Sequence, residues 1–209
     1  MIRALSLALT AALLTGPAHA ESHLLNAEAL AALVDQRVNA LSPYETLLND
    51  PDPARSAAAM EIMLASGDQS LVRSAVSFGF QASNPELRMI AARHVLDTGV
   101  PITLALSGVS EDGLANFAKW TRYYLDAAVS PEGTAYVTID VGPFDAEKGC
   151  YQMANQTSGC AVSLNSDGIF VKVPHLNARL GFADGATLSG AASVEKIDDP
   201  LKAELHLSH

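Results

Sequence analysis

The sequence is short of cysteine, tryptophan and basic side chains, with 2 Cys, 1 Trp, and 13 Lys plus Arg against 23 Asp plus Glu. Each shortage narrows what the chain does. Cys150 and Cys160, the only cysteines, are too far apart for a Cys-x-x-Cys redox motif. A formal charge of −10 with no basic run repels phosphate backbones and anionic membrane surfaces, so nucleic acid is not an expected partner. Glycine-rich phosphate loops and the alternating acidic ligands of a calcium loop are missing. Gly108-Val109-Ser110-Glu111-Asp112-Gly113 sets a Ser among glycines but lacks the Gly-x-Ser-x-Gly spacing and strand-to-helix context of a nucleophile elbow. The expectation is a protein without catalytic residues, metal or cofactor.

Long apolar runs are also lacking beyond the first 20 residues. Met1 to Ala20 carries Arg3, an apolar stretch from Ala4 to Leu14, a Gly16-Pro17 break and Ala18-His19-Ala20, the features of a secretory signal peptide. The apolar stretch is shorter than the ~20 residues of a membrane-spanning helix. Cleavage before Glu21 is expected to leave a periplasmic or secreted chain of residues 21–209 without a membrane span, and Glu21 in place of Cys argues against a lipid anchor. Losing Arg3 takes the formal charge from −10 to −11. In such a compartment Cys150 and Cys160 are expected to pair, restraining the loop from Tyr151 to Gly159 by roughly 2 to 3 kcal/mol. That loop holds Tyr151, Gln152, Asn155 and Gln156, so it either displays a recognition surface or simply pins a long hairpin. Asn155-Gln156-Thr157 also fits a glycosylation acceptor, a match that in a bacterial protein is most often chance.

What is plentiful is helix punctuation. Between Asn49 and Gly99 three helices are expected: Pro53 to Ser66, Gln69 to Gln81 and Pro85 to Thr98. Asp52, Asp68 and Asn84 precede them as caps, and Pro53 and Pro85 stand at first helical positions, where no amide hydrogen is needed. Gly67 and Gly99 follow two of them as stop signals, with Pro101 beyond. Leu87, Ile90, Ala91 and Val95 form an apolar stripe, as do Ala57, Met60, Met63 and Leu64. Leu71, Val72, Ala75, Val76, Phe78 and Phe80 cover more than one face, which predicts that the middle helix is the most buried. A further helix is expected from Asn26 to Leu41, with Leu30, Leu33, Val34, Val38 and Leu41 on one side and Leu25 clasping Leu30 at its start. Ser42-Pro43-Tyr44 should end it, followed by a short turn to Leu48.

Asp52-Pro53-Ala54-Arg55 and Asn84-Pro85-Glu86-Leu87-Arg88, each opening an apolar helix, resemble the starts of HEAT-type α-solenoid repeats. The resemblance is confined to residues 49–99. It implies a helix-pair surface of the kind solenoids use for protein contacts; the alternative is a small helical bundle lying on the β half.

After Pro101 the period changes. Ile102 to Ser107 reads as a strand, and Glu111 to Leu125 as a short helix followed by a strand, although helix throughout fits as well. Val137, Ile139 and Val141 alternate with Tyr136, Thr138 and Asp140 in a half-buried strand. Cys160 to Leu164 and Ile169 to Val173 meet through Asn165-Ser166-Asp167-Gly168. Leu176 to Phe182 and Ala186 to Val194 meet through Asp184-Gly185, and Leu201 to Leu207 alternates in a last strand. About six strands linked by turns imply an antiparallel sandwich or small barrel.

The expected fold is thus α+β: a helical HEAT-like domain over residues 21–100, then a β-rich domain over residues 101–209 with one disulfide, Cys150 to Cys160. Candidate binding residues are Trp120, Tyr123, Tyr124, Tyr151 and Asn155, the aromatics because their rings stack on a sugar or peptide. A lone Trp in a β domain is otherwise a core residue. His206 and His209 point to opposite faces of a strand, His94 lies at the edge of a helix stripe, and His175 follows Pro174 at a strand junction with no carboxylate pair expected beside it. The expected role is an exported, non-catalytic interaction module whose partner is another periplasmic or envelope protein. The alternative is binding of a glycan or cell-wall fragment by the β domain.

Overall fold

The computed structural model describes residues 26–155 and 159–207. The leader at 1–20, the Leu25 half of the clasp, the last two residues of the glycosylation triplet and His209 lie outside the described residues. Helix α1 (Ala27–Leu48) starts where the Asn26 carboxamide accepts a 2.7 Å hydrogen bond from the Ala29 amide. It does not stop at Ser42-Pro43-Tyr44. Proline removes one amide donor, and the helix absorbs that loss and runs on to Leu48.

Helices α2 (Pro53–Ala65), α3 (Gln69–Gln81) and α4 (Pro85–Asp97) follow the sequence signals to within a residue. Asp52, Asp68 and Asn84 accept bonds of 2.9, 2.7 and 2.9 Å from Ala54, Ser70 and Glu86 amides. Gly67 and Gly99 take positive φ angles of 73° and 69° just past α2 and α4, where a side chain would be strained. The most buried helix is α4, with Leu87, Ala91, Ala92, Val95 and Leu96 inside, rather than α3. The reason is position: α4 lies against α3 on one side and against strands of the sheet on another. On α3, Gly79 gives α2 and α4 room, since a Cβ there would collide with the Met60 methyl and the Ala91 side chain.

Residues Ile102–Ser107 form β1, as expected. A 3-10 turn at Glu111–Gly113 leads into α5 (Leu114–Leu125), so Trp120 to Leu125 is helix and not strand. Phe117 and Thr121, spaced by one turn, set its buried side, and this outweighs the β preference of the aromatic run. The strand expected through Val141 divides at Asp140 into β2 (Ala135–Ile139) and β3 (Val141–Asp145). Then come β4 (Cys150–Met153), β5 (Val162–Asn165), β6 (Gly168–Val173), β7 (Leu176–Phe182), β8 (Thr187–Val194) and β9 (Leu201–His206).

These strands make one nine-stranded antiparallel sheet in the order β2-β1-β9-β8-β7-β6-β5-β4-β3. The fold is α+β, and the sandwich is replaced by a single curled sheet, a half-barrel. Its first and last strands are separated in sequence by Asp140 alone, so the two edges of the sheet meet at that corner. One buried row crosses four strands through Val137, Leu104, Leu205 and Leu188, and half-buried Phe182 continues it onto β7. Polar residues occupy alternate positions, as in β9, where Lys202, Glu204 and His206 are exposed. The chain divides into compact units at Ala40/Leu41, inside α1, and not at residue 100; α2 to α5 and the whole sheet belong to one unit.

Candidate functional site

Three of the five candidate binding residues come together. Trp120, Tyr123 and Tyr124 recur at spacings of three and four along α5 and share a face. Trp120 stacks on Tyr124 with ring centroids 5.4 Å apart, and Tyr123 meets both rings edge-on, at 5.9 and 5.0 Å. Two groups that sequence reading missed complete the cluster. His175 stacks on Tyr124 at 4.2 Å, and its Nδ1 lies 2.6 Å from Glu195 Oε2.

A two-residue loop, Pro174-His175, joins β6 to β7 and places that imidazole, with His175 at φ 65°. Such a turn suits proline first and a left-handed residue second. The Glu195 amide donates to the His175 carbonyl at 3.0 Å, continuing the β7/β8 ladder one step beyond Leu176 and Val194. The signal was present in the sequence: the Asp184-Gly185 turn sets the β7/β8 register, and that register puts residue 175 opposite 195. On the helix side, the Asn116 side-chain amide donates to the Lys196 carbonyl at 3.1 Å, holding α5 over this end of the sheet.

Partial burial, then the Glu195 carboxylate, then Tyr123 push the Tyr124 phenol above its ordinary pKa. The rings of Trp120 and Tyr124 are largely committed within the cluster: Lys119 Nζ sits 4.4 Å from the Trp120 centroid, and Tyr124 has Trp120 and His175 stacked on it. Tyr123, 74% exposed, is the ring left to solvent. The arrangement holds α5 on the sheet and offers a ligand one tyrosine.

Tyr151 lies elsewhere. It is 1% exposed on β4, and its hydroxyl donates to Asp97 Oδ1 at 2.7 Å and to the Arg93 carbonyl at 3.3 Å. Burial, then Asp97, raises its phenol far above the ordinary range. Its ring is therefore a core group and is withdrawn from the displayed loop. Cys150 and Cys160 are disulfide-bonded, Cα atoms 5.6 Å apart, and the staple joins the start of β4 to the residues just before β5. Gln152 donates to Asp145 Oδ2 at 2.9 Å. Asn155 is exposed in the turn that follows β4.

Among the described residues no group of three or more metal-ligating side chains is placed together. His206 on β9 has Nδ1 3.0 Å from Thr187 Oγ1. No described helix is long and apolar enough to cross a membrane.

A second candidate surface is α1. Leu30, Leu33, Val34 and Val38 are 51%, 50%, 51% and 60% exposed, so the apolar side expected from the sequence faces solvent. Sequence periodicity found this stripe but not its exposure, because a core face and a contact face have the same spacing. No protein-family model, curated protein or solved structure matches this chain.

Proposed function

We propose that this chain is an exported, non-catalytic protein-interaction module whose contact surface is α1, and that its partner is a protein of the periplasm or envelope. One observation carries the reading: four branched aliphatic side chains, each half exposed or more, line one side of a capped helix. Apolar patches of this kind on soluble proteins mark contact sites. The resemblance of α2 to α4 to solenoid helix pairs points the same way, and the disulfide agrees with an oxidising compartment.

The alternative, glycan or cell-wall binding at Trp120, Tyr123 and Tyr124, has less to support it. A sugar-stacking site needs free ring faces, and two of these three rings already stack within the cluster.

The test is light-activated cross-linking from a benzoylphenylalanine at Leu33 in the native host. A discrete protein adduct that disappears with Leu30→Asp and Val34→Asp is expected. No adduct, or adducts to lipid alone, would overturn the reading.

A further inference from the structure

Arg37 interrupts the apolar stripe of α1. It lies three and four residues from Val34, Leu33 and Leu41, whereas Glu28 and Asp35 share the other side of the helix. Arg37 is exposed, and among the described residues it is in no ion pair. A single cation in the middle of an aliphatic face calls for an apolar groove that carries a carboxylate. The same chain has one. Helices α2 and α4 border a groove of about 470 Å³ whose floor includes half-buried Leu64, Met89 and Ile90 and whose rim carries exposed Glu61 and Glu86; Arg93, which lies over the Phe144 ring at 5.6 Å, and half-buried His94 line it as well. Neither rim carboxylate is engaged in an ion pair among the described residues, while Asp97, farther along, is taken by Tyr151.

We propose that α1 of one copy docks in the α2/α4 groove of a second copy. Leu30, Leu33 and Val34 lie on the aliphatic floor, and Arg37 meets Glu61 and Glu86. This inference rests on the reading of α1 as a contact surface and names its partner. Charge separates it from two other occupants. Pairing α1 side by side with another α1 brings two Arg37 side chains together, which is unfavourable. Helices that lie on an anionic membrane are rich in Lys and Arg, whereas α1 carries Arg37 alone against Glu28, Asp35 and Glu45. Helix and groove are different surfaces, so the contact is heterologous: two copies close it by exchanging helices, and without closure it extends from copy to copy.

Sedimentation equilibrium of the purified protein over a concentration series tests this. Reversible self-association is expected, weakened at least tenfold by Arg37→Glu and equally by the pair Glu61→Arg, Glu86→Arg, and restored when all three changes are combined. Circular dichroism confirms that each variant folds. A monomer at every concentration, association indifferent to Arg37→Glu, or failure of the triple change to restore it overturns the proposal. So does binding of α1 to vesicles of phosphatidylglycerol in place of self-association. If the protein is monomeric while the Leu33 probe still forms an adduct with a different protein, the contact reading stands and the self-docking inference falls; absence of both removes both.

Discussion

The Tyr151 hydroxyl, on β4, donates a 2.7 Å hydrogen bond to the Asp97 carboxylate at the end of α4, joining the sheet to the helices across 54 residues of chain. Its second contact, 3.3 Å to the Arg93 carbonyl, falls on the same helical turn. Tyr151→Phe keeps the ring in the core and removes only the hydroxyl. Asp97 is exposed enough to be rehydrated, so the loss should be about 1 kcal/mol. Urea unfolding should show a lower midpoint with an unchanged slope.

The disulfide closes a short loop around the turn after β4. Replacing Cys150 and Cys160 together by Ser should lower stability by roughly 2 to 3 kcal/mol, the loop-closure contribution for so short a segment. Thermal unfolding with and without reductant is the check, and reductant should affect the native protein while leaving the variant unchanged.

Asp145 accepts from the Lys148 ammonium at 2.7 Å, and from the Lys148 amide and the Gln152 side chain besides. These contacts, Lys148 foremost, hold its carboxyl down to about 2 against partial burial. A carboxylate with a depressed folded-state pKa contributes stability that is fully present above its unfolded value near 3.8 and is lost as pH falls toward about 2. Carbon-detected NMR titration should find Asp145 ionised at pH 3, and Lys148→Met should move its midpoint back toward 3.8.

Gly79 sits where α2, α3 and α4 converge. Gly79→Val would press a branched side chain onto Met60 and Ala91, an overpacking that should cost about 2 to 3 kcal/mol even though glycine is itself a poor helix former. A drop in thermal midpoint of this variant well beyond that of a solvent-facing control such as Ser77→Val would confirm the tight approach.

The helices were legible because their signals are local. A capping carboxylate or amide acts within one turn at the start of all three of α2 to α4, and a proline one residue later and a glycine at the far end do the same for α2 and α4. The hairpins around Asp167 and Asp184 were legible for the same reason. Strand order was not, because β1 pairs with β9 through Leu104 and Leu205, a choice made by side-chain rows far apart in the chain. Tyr151 was misplaced because a polar sequence around a disulfide looks alike whether its aromatic faces outward or reaches a helix carboxylate. Glu195 beside His175 could have been found by extending one hairpin register by a single residue. The exposure of the α1 stripe lay beyond any local signal.

The corner at Asp140 has a consequence for the order of assembly. β1 is held between β2 and β9, and β9 between β1 and β8. The sheet therefore stays open through its middle until residues 201–206 have arrived, however early β1 and β2 meet. That pair, joined through α5, spends the rest of synthesis with the β9-facing edge of β1 unpaired as well as the outer edge of β2, and on such edges other chains add. Completion is timed by the last strand rather than the first, and loss of β9 would leave two separate pieces of sheet instead of one slightly smaller one.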